Sequence, residues 1–180
     1  MDDLNKKILT DLKVELSEEF DRNFERKAFF SKPWPQRLLE GRGSLLLQSG
    51  KLRRSIRAQV TNNSVSWSSS EPYAAIHNEG GTITVTAKMK RFFWAKFYEL
   101  AGKVRHKKDG STSRSSVKLS KQAEFYRNLA LMKVGTKIKI PQRQFLGDAP
   151  EVQQAIERVC QNRCKDIETE LYNALKKGQS

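Results

Sequence analysis

Residues 73–86 read YAAIHNEGGTITVT, and this stretch decides the fold. Its second part, Thr82–Thr86, is β-branched throughout and alternates between hydroxyl and aliphatic side chains, which predicts a strand. Gly80 and Gly81 stand immediately before this strand, and glycine accepts the positive φ of a tight turn. The sequence therefore predicts that the chain turns from the Tyr73–His77 segment into the strand.

Three further strands are predicted around this one. Thr136–Ile140 alternates lysine with isoleucine, and Pro141 ends it because proline lacks the N–H that a sheet needs. Ser55–Val60 and Val65–Ser69 flank the turn-forming sequence Thr61-Asn-Asn-Ser64, which predicts a β-hairpin. Together these patterns indicate a small antiparallel sheet.

A long helix is predicted at each end of the chain. In the first helix the apolar residues recur at every fourth position, at Leu4, Ile8, Leu12, Leu16, Phe20 and Phe24, until Lys32-Pro-Trp-Pro35 ends it. Such a stripe drifts by about 40° per step around a helix, so it either wraps one core or partly meets a neighbouring subunit. The last helix follows Asp148-Ala-Pro-Glu151, a predicted capping box with Asp148 as N-cap, and its apolar face runs from Val152 to Leu175.

Between the last two strands the spacing predicts helices at Met89–Ala101 and Gln122–Lys133, joined by a flexible connector at residues 103–121. Phe93, Phe97 and Leu100 fall on one side of the first of these helices, which favours an aromatic core face over base stacking. The fold class is α+β: a small antiparallel sheet packed with long N- and C-terminal helices, plus a helical and basic-loop insertion. The predicted organisation is a single domain, 1–180, with the insertion at 85–134.

The positive charge is concentrated in one region. The formal net charge is +14, yet Lys88–Arg143 alone contains sixteen basic and three acidic residues. The candidate basic surface consists of Lys103, Arg105, Lys107, Lys108, Arg114, Lys118 and Lys121. Nucleic acid, an acidic protein surface or an acidic lumen could be its partner.

Composition and motifs argue against several function classes. The chain has no apolar run of transmembrane length, and its first residues do not have the apolar region of a secretory leader. We therefore expect no secretory signal and a location in the cytoplasm of the cell that makes the protein. Cys160 and Cys164 are interpreted as helix residues in a reducing compartment. His77-Asn-Glu79 resembles the His-x-Glu pair of zinc deaminases, but the accompanying Pro-Cys-x-x-Cys is missing. We therefore expect no enzyme activity, no metal and no cofactor.

Four stretches in this order carry a resemblance: Trp34 after the helix break, LLQSGKLRRSI at residues 46–56, YAAIHNEGG at 73–81, and IPQRQFLG at 140–147. They resemble the phage virion morphogenesis, or tail completion, family of Mu-like and related tailed phages. The resemblance covers roughly Leu4 to Leu175 and departs at Val85–Val134, a stretch to which it transfers no role.

The resemblance implies a structural virion assembly protein that completes the tail or joins it to the head as an oligomeric ring. Other phage neck or tail proteins would be its partners, and it would occur in the virion and in the host bacterial cytoplasm during assembly. No membrane contact, catalytic residue or cofactor is implied, although nonspecific DNA contact is possible. Aromatic and arginine side chains favour interfaces, which makes Tyr73, His77, Arg143 and Phe145 the candidate interface. The alternative is a basic nucleic-acid-binding protein that uses residues 88–143.

Overall fold

The computed structural model describes residues 2–37, 44–104 and 112–177, with side chains from residue 4 onward. Its helices are α1 (Asp2–Arg26), α2 (Lys51–Ser55), α3 (Ala74–Glu79), α4 (Ala87–Ala101), α5 (Arg114–Leu131) and α6 (Pro150–Lys177). Its strands are β1 (Ala28–Phe29), β2 (Lys32–Pro33), β3 (Ile56–Val60), β4 (Val65–Ser69), β5 (Gly81–Thr84) and β6 (Lys137–Ile140). This is the predicted α+β fold.

The chain divides into two compact units. The first unit comprises Met1–Pro35, Gly43–Glu79 and Gln142–Ser180, and the second comprises Gln36–Arg42 and Gly80–Pro141. The second unit is wider than the insertion predicted at 85–134, because β5 and β6 flank that insertion and pair with each other.

The described strands form three separate antiparallel pairs instead of one continuous sheet. The predicted hairpin is confirmed: β3 pairs with β4 from Ile56↔Ser69 to Val60↔Val65. The strands predicted at Thr82–Thr86 and Thr136–Ile140 are also present as β5 and β6, and these pair with each other from Gly81↔Ile140 to Thr84↔Lys137. The predicted sheet is divided because β3–β4 and β5–β6 belong to different units. The third pair, the short β1–β2, was not predicted.

Helices α1 and α6 run antiparallel in the first unit. Arg163 Nε donates to Asp11 Oδ2 at 2.5 Å, Arg158 pairs with Glu15, and Ser31 Oγ donates to Glu151 at 2.9 Å. By this register Leu171 lies level with the start of α1. The last turns of α6 therefore extend beyond α1.

The winding apolar stripe of α1 supplies two successive core clusters. Leu16 and Phe20 pack with Phe29, Val152 and Ala155 in one cluster. Phe24 belongs to the other, which comprises Phe24, Trp34, Leu45, Leu52, Ala74 and Phe145. From Leu12 to Phe24, a single copy of the chain therefore buries the stripe despite its drift around the helix. Leu4 and Ile8 at the start of the stripe are only half-buried.

The second unit contains a pair of packed helices, α4 and α5. The connector prediction at 103–121 is wrong for Arg114–Lys121, which form the first turns of α5, whereas residues 105–111 lie outside the described residues. Ser113 Oγ accepts from the N–H of Ser116 at 3.2 Å and so caps the helix. The small residues Ser116, Ala123 and Ala130 are buried at seven-residue spacing, which lets α5 pack closely against α4. The aromatic face of α4 is confirmed, since Phe93 is buried while Phe92 is exposed.

The predicted capping box at the start of α6 is wrong in detail. The helix begins at Pro150, so Ala149 takes the N-cap position, and its carbonyl accepts from the N–H of Val152 at 3.0 Å. The Asp148 carboxylate instead accepts from the N–H of Ala149 at 2.9 Å, while Glu151 bonds Ser31. Cys160 is half-buried and Cys164 exposed on the same helix, and no disulfide joins them.

Phe24→Ala should destabilise the fold strongly, because Phe24 has no exposed surface and its ring contacts those of Trp34 and Phe145. A loss of about 3–5 kcal/mol in the free energy of unfolding is expected. Urea denaturation followed by circular dichroism measures it. Val14→Ala on the same helix, 55% exposed, is the matched control and should change stability by about 0.5 kcal/mol or less. Similar losses in the two variants would contradict this core assignment.

Candidate functional site at helix α3

Helix α3 is a six-residue helix within the YAAIHNEGG stretch. The N–H of Ala74 donates to the Glu71 carbonyl at 3.0 Å at its start. At its end Gly80 has φ 73° and Gly81 has φ 154°, conformations that L side chains rarely adopt. The two glycines therefore make the predicted turn from this segment into β5.

The side chain of Asn78 connects α3 to the IPQRQFLG stretch. Its Oδ1 accepts from the backbone N–H groups of Phe145 at 2.9 Å and Leu146 at 3.0 Å. Beside this bridge the N–H of Arg143 donates to the His77 carbonyl at 2.7 Å. Three backbone N–H groups of residues 143–146 are thus satisfied by α3.

The same stretch is also bonded to the segment around Trp34. Arg143 is buried, and its Nε donates to the Pro35 carbonyl at 3.0 Å. The indole N–H of Trp34 donates to the Gln144 carbonyl at 2.5 Å. Three of the four stretches that carried the resemblance are therefore joined by hydrogen bonds, and Leu52 of the fourth stretch packs in the same core cluster as Trp34 and Phe145.

Asn23 completes this site, although the sequence analysis did not identify it. It is fully buried on α1, where its Oδ1 accepts from the N–H of Phe30 at 2.9 Å and its Nδ2 donates to the Phe145 carbonyl at 3.4 Å. Asn23 directly precedes Phe24, the last residue of the apolar stripe, and this position was the available sign that its side chain is buried. A buried amide there requires partners in the backbone.

The four candidate interface residues come together in the structure but differ in exposure. Tyr73 is 38% exposed, and its ring contacts the half-buried ring of His77 with centroids 6.0 Å apart. Phe145 is 1% exposed and Arg143 8%, because the core and the Pro35 carbonyl already hold them. Phe145 and Arg143 therefore have little surface to offer a partner, whereas Tyr73 and His77 have more. The interface assignment stays a prediction for all four residues.

His77 is the one titratable group of this site with a shifted pKa that has consequences for stability. Burial lowers the pKa of its imidazole below the usual value, and the nearby Arg143 guanidinium lowers it further. Its Nδ1 is buried with no hydrogen-bond partner in the part of the chain that the structure describes. The folded protein thus favours the neutral ring.

The candidate basic residues lie in the second unit. Arg114, Lys118 and Lys121 are exposed on α5, and the exposed Lys103 donates to Glu99 Oε1 at 2.8 Å. Lys103 and Lys96 together lower the pKa of Glu99 to about 2. Arg105, Lys107 and Lys108 lie outside the described residues.

Within residues 2–37, 44–104 and 112–177, no group of three or more His, Cys, Asp or Glu side chains is placed to hold a metal ion. Over the same ranges, no helix has the length and apolar character needed to span a membrane.

Asn78→Ala should destabilise the first unit, because it leaves the amides of Phe145 and Leu146 without their acceptor. A loss of about 2 kcal/mol or more in the free energy of unfolding is expected. Asn78→Asp keeps an acceptor oxygen at the same position and should restore most of this loss. Urea denaturation of both variants tests the bridge, and equal destabilisation by Ala and Asp would contradict it.

The stability of the protein should depend on pH through His77. Because the folded pKa is lowered, the unfolded state binds more protons, so this contribution is complete above the unfolded pKa of about 6.5 and is lost as pH falls below it. His77→Gln should therefore lose less stability than the wild type between pH 7.5 and pH 5. Denaturation at both pH values measures the difference, in which the other titrating groups cancel. A larger loss in the variant would show that the sign is wrong.

A model of the phage virion morphogenesis family matches residues 6–165 of the 180-residue chain. Neither the curated proteins nor the solved structures include a match to this sequence. The matched range contains all four stretches on which the resemblance was based, and these meet in the first unit. The chain therefore belongs to the phage virion morphogenesis family and has a structural role in phage assembly.

Proposed function

We propose that the protein completes the phage tail or joins it to the head, and that it acts as a ring of identical copies. The observation that carries this proposal is the family match over residues 6–165, since the family builds virions. Tail completion, head–tail joining and ring formation are the finer steps that the proposal adds.

The surface of the first unit supports a role in assembly. At the end of α6, Leu171, Tyr172 and Leu175 are 59%, 66% and 68% exposed. Apolar side chains grouped on one helix end indicate a contact surface. These side chains are therefore accessible to another protein.

The proposed role needs no catalysis, and the position of His77 fits this. Its carbonyl accepts from the Arg143 N–H, and its half-buried ring contacts that of Tyr73. We infer that His77 supports the local structure instead of transferring protons. Cofactors are accordingly not part of the proposal.

A second candidate function, nucleic-acid binding, is favoured by the charge of the second unit. That unit contains seventeen Lys and Arg against four Asp and Glu, whereas the first unit contains seventeen against sixteen. A basic surface attracts nucleic acid without sequence preference. In an assembly protein the same surface could contact packaged DNA or an acidic partner.

Deletion of the gene from its phage should give DNA-filled heads and tails that do not join, or tails of defective length, while DNA replication stays normal. Electron microscopy of lysates and quantification of phage DNA provide the measurement. A plasmid copy of the wild-type gene is the control and should restore infectious particles. A His77→Gln copy should also restore them, because a structural role does not need the imidazole chemistry. Normal particles with impaired replication or transcription would replace this proposal with the nucleic-acid function.

A further inference from the structure

The first unit contains an open groove of about 810 Å³. Its floor is the apolar face of α1 at Leu9, Leu12 and Leu16, one side is β4, and the other is the start of α6 at Val152 and Ile156. Helix α3 and residues 145–148 close one end. We call this space the acidic groove, for the charges described below.

Strand β4 presents a free backbone edge to the acidic groove. The N–H of Thr61 donates to the Ser64 carbonyl at 2.9 Å, which makes this the first hydrogen-bonded pair of the hairpin. Bonded and non-bonded pairs alternate in antiparallel strands, so the backbone groups of Val65, Trp67 and Ser69 point away from β3. Among the described residues no strand pairs with β4 on that side.

No strand occupies the groove side of β4 in the residues that the structure describes. Strand β4 pairs only with β3, and β1 pairs only with β2. All five residues of β4, from Val65 to Ser69, line the groove. The acidic groove therefore has the form of an unfilled strand position.

The charges around this position indicate what fills it. The charged residues that line the acidic groove are Glu71, Glu79 and Asp148, and no lysine or arginine is among its described lining residues. The described lining of the groove is therefore negatively charged. A strand that carries basic side chains is the complementary occupant.

Strand β6 has these properties. Lys137 and Lys139 are exposed and alternate with half-buried isoleucines. The N–H of Val85 donates to the Thr136 carbonyl at 2.8 Å, so the alternation of bonded pairs directs the backbone groups of Lys137 and Lys139 away from β5. The edge that bears the lysines is thus unpaired among the described strands.

We propose that β6 of one copy adds its free edge to β4 of a second copy, with Lys137 and Lys139 beside Glu71, Glu79 and Asp148. Main-chain hydrogen bonds between the edges would supply affinity, and the lysine–carboxylate contacts would supply orientation. The two copies contribute different surfaces, so the contact is heterologous and closes into a ring when the rotation per copy allows it. This inference rests on the ring formation proposed above and specifies its contact.

Charge reversal tests the contact in the full-length protein. One variant carries Glu71→Lys and Glu79→Lys, and the other carries Lys137→Glu and Lys139→Glu. Each variant alone opposes like charges across the contact and should weaken self-association by about tenfold or more. An equal mixture restores opposite charges at every contact between unlike copies, so it should assemble as the wild type does. Sedimentation velocity over a concentration series at low salt measures all three.

The control variant carries Glu124→Lys and Glu168→Lys, an equal change of charge at exposed positions that do not line the acidic groove. It should associate like the wild type, and circular dichroism checks that every variant is folded. A monomeric wild type at all concentrations, reversed variants that still associate normally, or a mixture that fails to assemble would overturn the contact. If the contact fails while gene deletion still leaves heads and tails unjoined, the proposed function stands and only this inference is lost.

Discussion

The first unit depends on the bridge that Asn78 makes to the backbone of Phe145 and Leu146. The chain leaves the first unit at Glu79 and returns to it at Gln142, so this bridge joins the residues just before the departure to those just after the return. The bond from the Arg143 N–H to the His77 carbonyl reinforces it. Because the two ends are fastened within the first unit, the sequence between them can vary without opening the core.

The core around this bridge combines buried apolar side chains with the side-chain amides of Asn23 and Asn78, which bond backbone groups. The ring of Phe145 contacts the ring of Phe24 in the core. Its backbone N–H donates to Asn78, and its carbonyl accepts from Asn23. The surface ion pairs between α1 and α6 contribute much less, since exposed pairs are typically worth about 0–1 kcal/mol. Apolar contacts therefore bring the helices together, while Asn23 and Asn78 determine which backbone segments they hold.

The sequence predicted the regular elements well because their patterns are local. The hairpin at β3–β4 and the two long terminal helices each follow from spacing or turn chemistry within a few residues. Helix α5 was predicted to start at Gln122 because its first turns, rich in serine and lysine, have the composition of a linker. Its stability there comes from the Ser113 cap and from a line of small buried residues that meet α4.

The candidate site was harder to predict, because burial of a polar side chain depends on partners that are distant in sequence. Arg143 was assigned to an interface on its residue type, yet the Pro35 carbonyl more than a hundred residues away holds it inside the monomer. Asn23 and Asn78 bond backbone groups, which have no sequence signature. The acidic groove is assembled from α1, β4, α3 and α6, so no single stretch of sequence indicates it.

The uneven charge distribution has a consequence for assembly. A chain with a net charge of +14 repels its own copies at distances beyond direct contact. In the proposed contact, attraction arises only where lysines of β6 meet the three carboxylates of the acidic groove. At physiological ionic strength, salt screens this attraction at separations beyond about 8 Å. Association of free copies is therefore expected to be weak and to increase with protein concentration. In the proposed function, copies are brought together on the assembling particle, where an acidic partner or DNA would offset the repulsion. We therefore expect the ring to form more readily on the particle than in free solution.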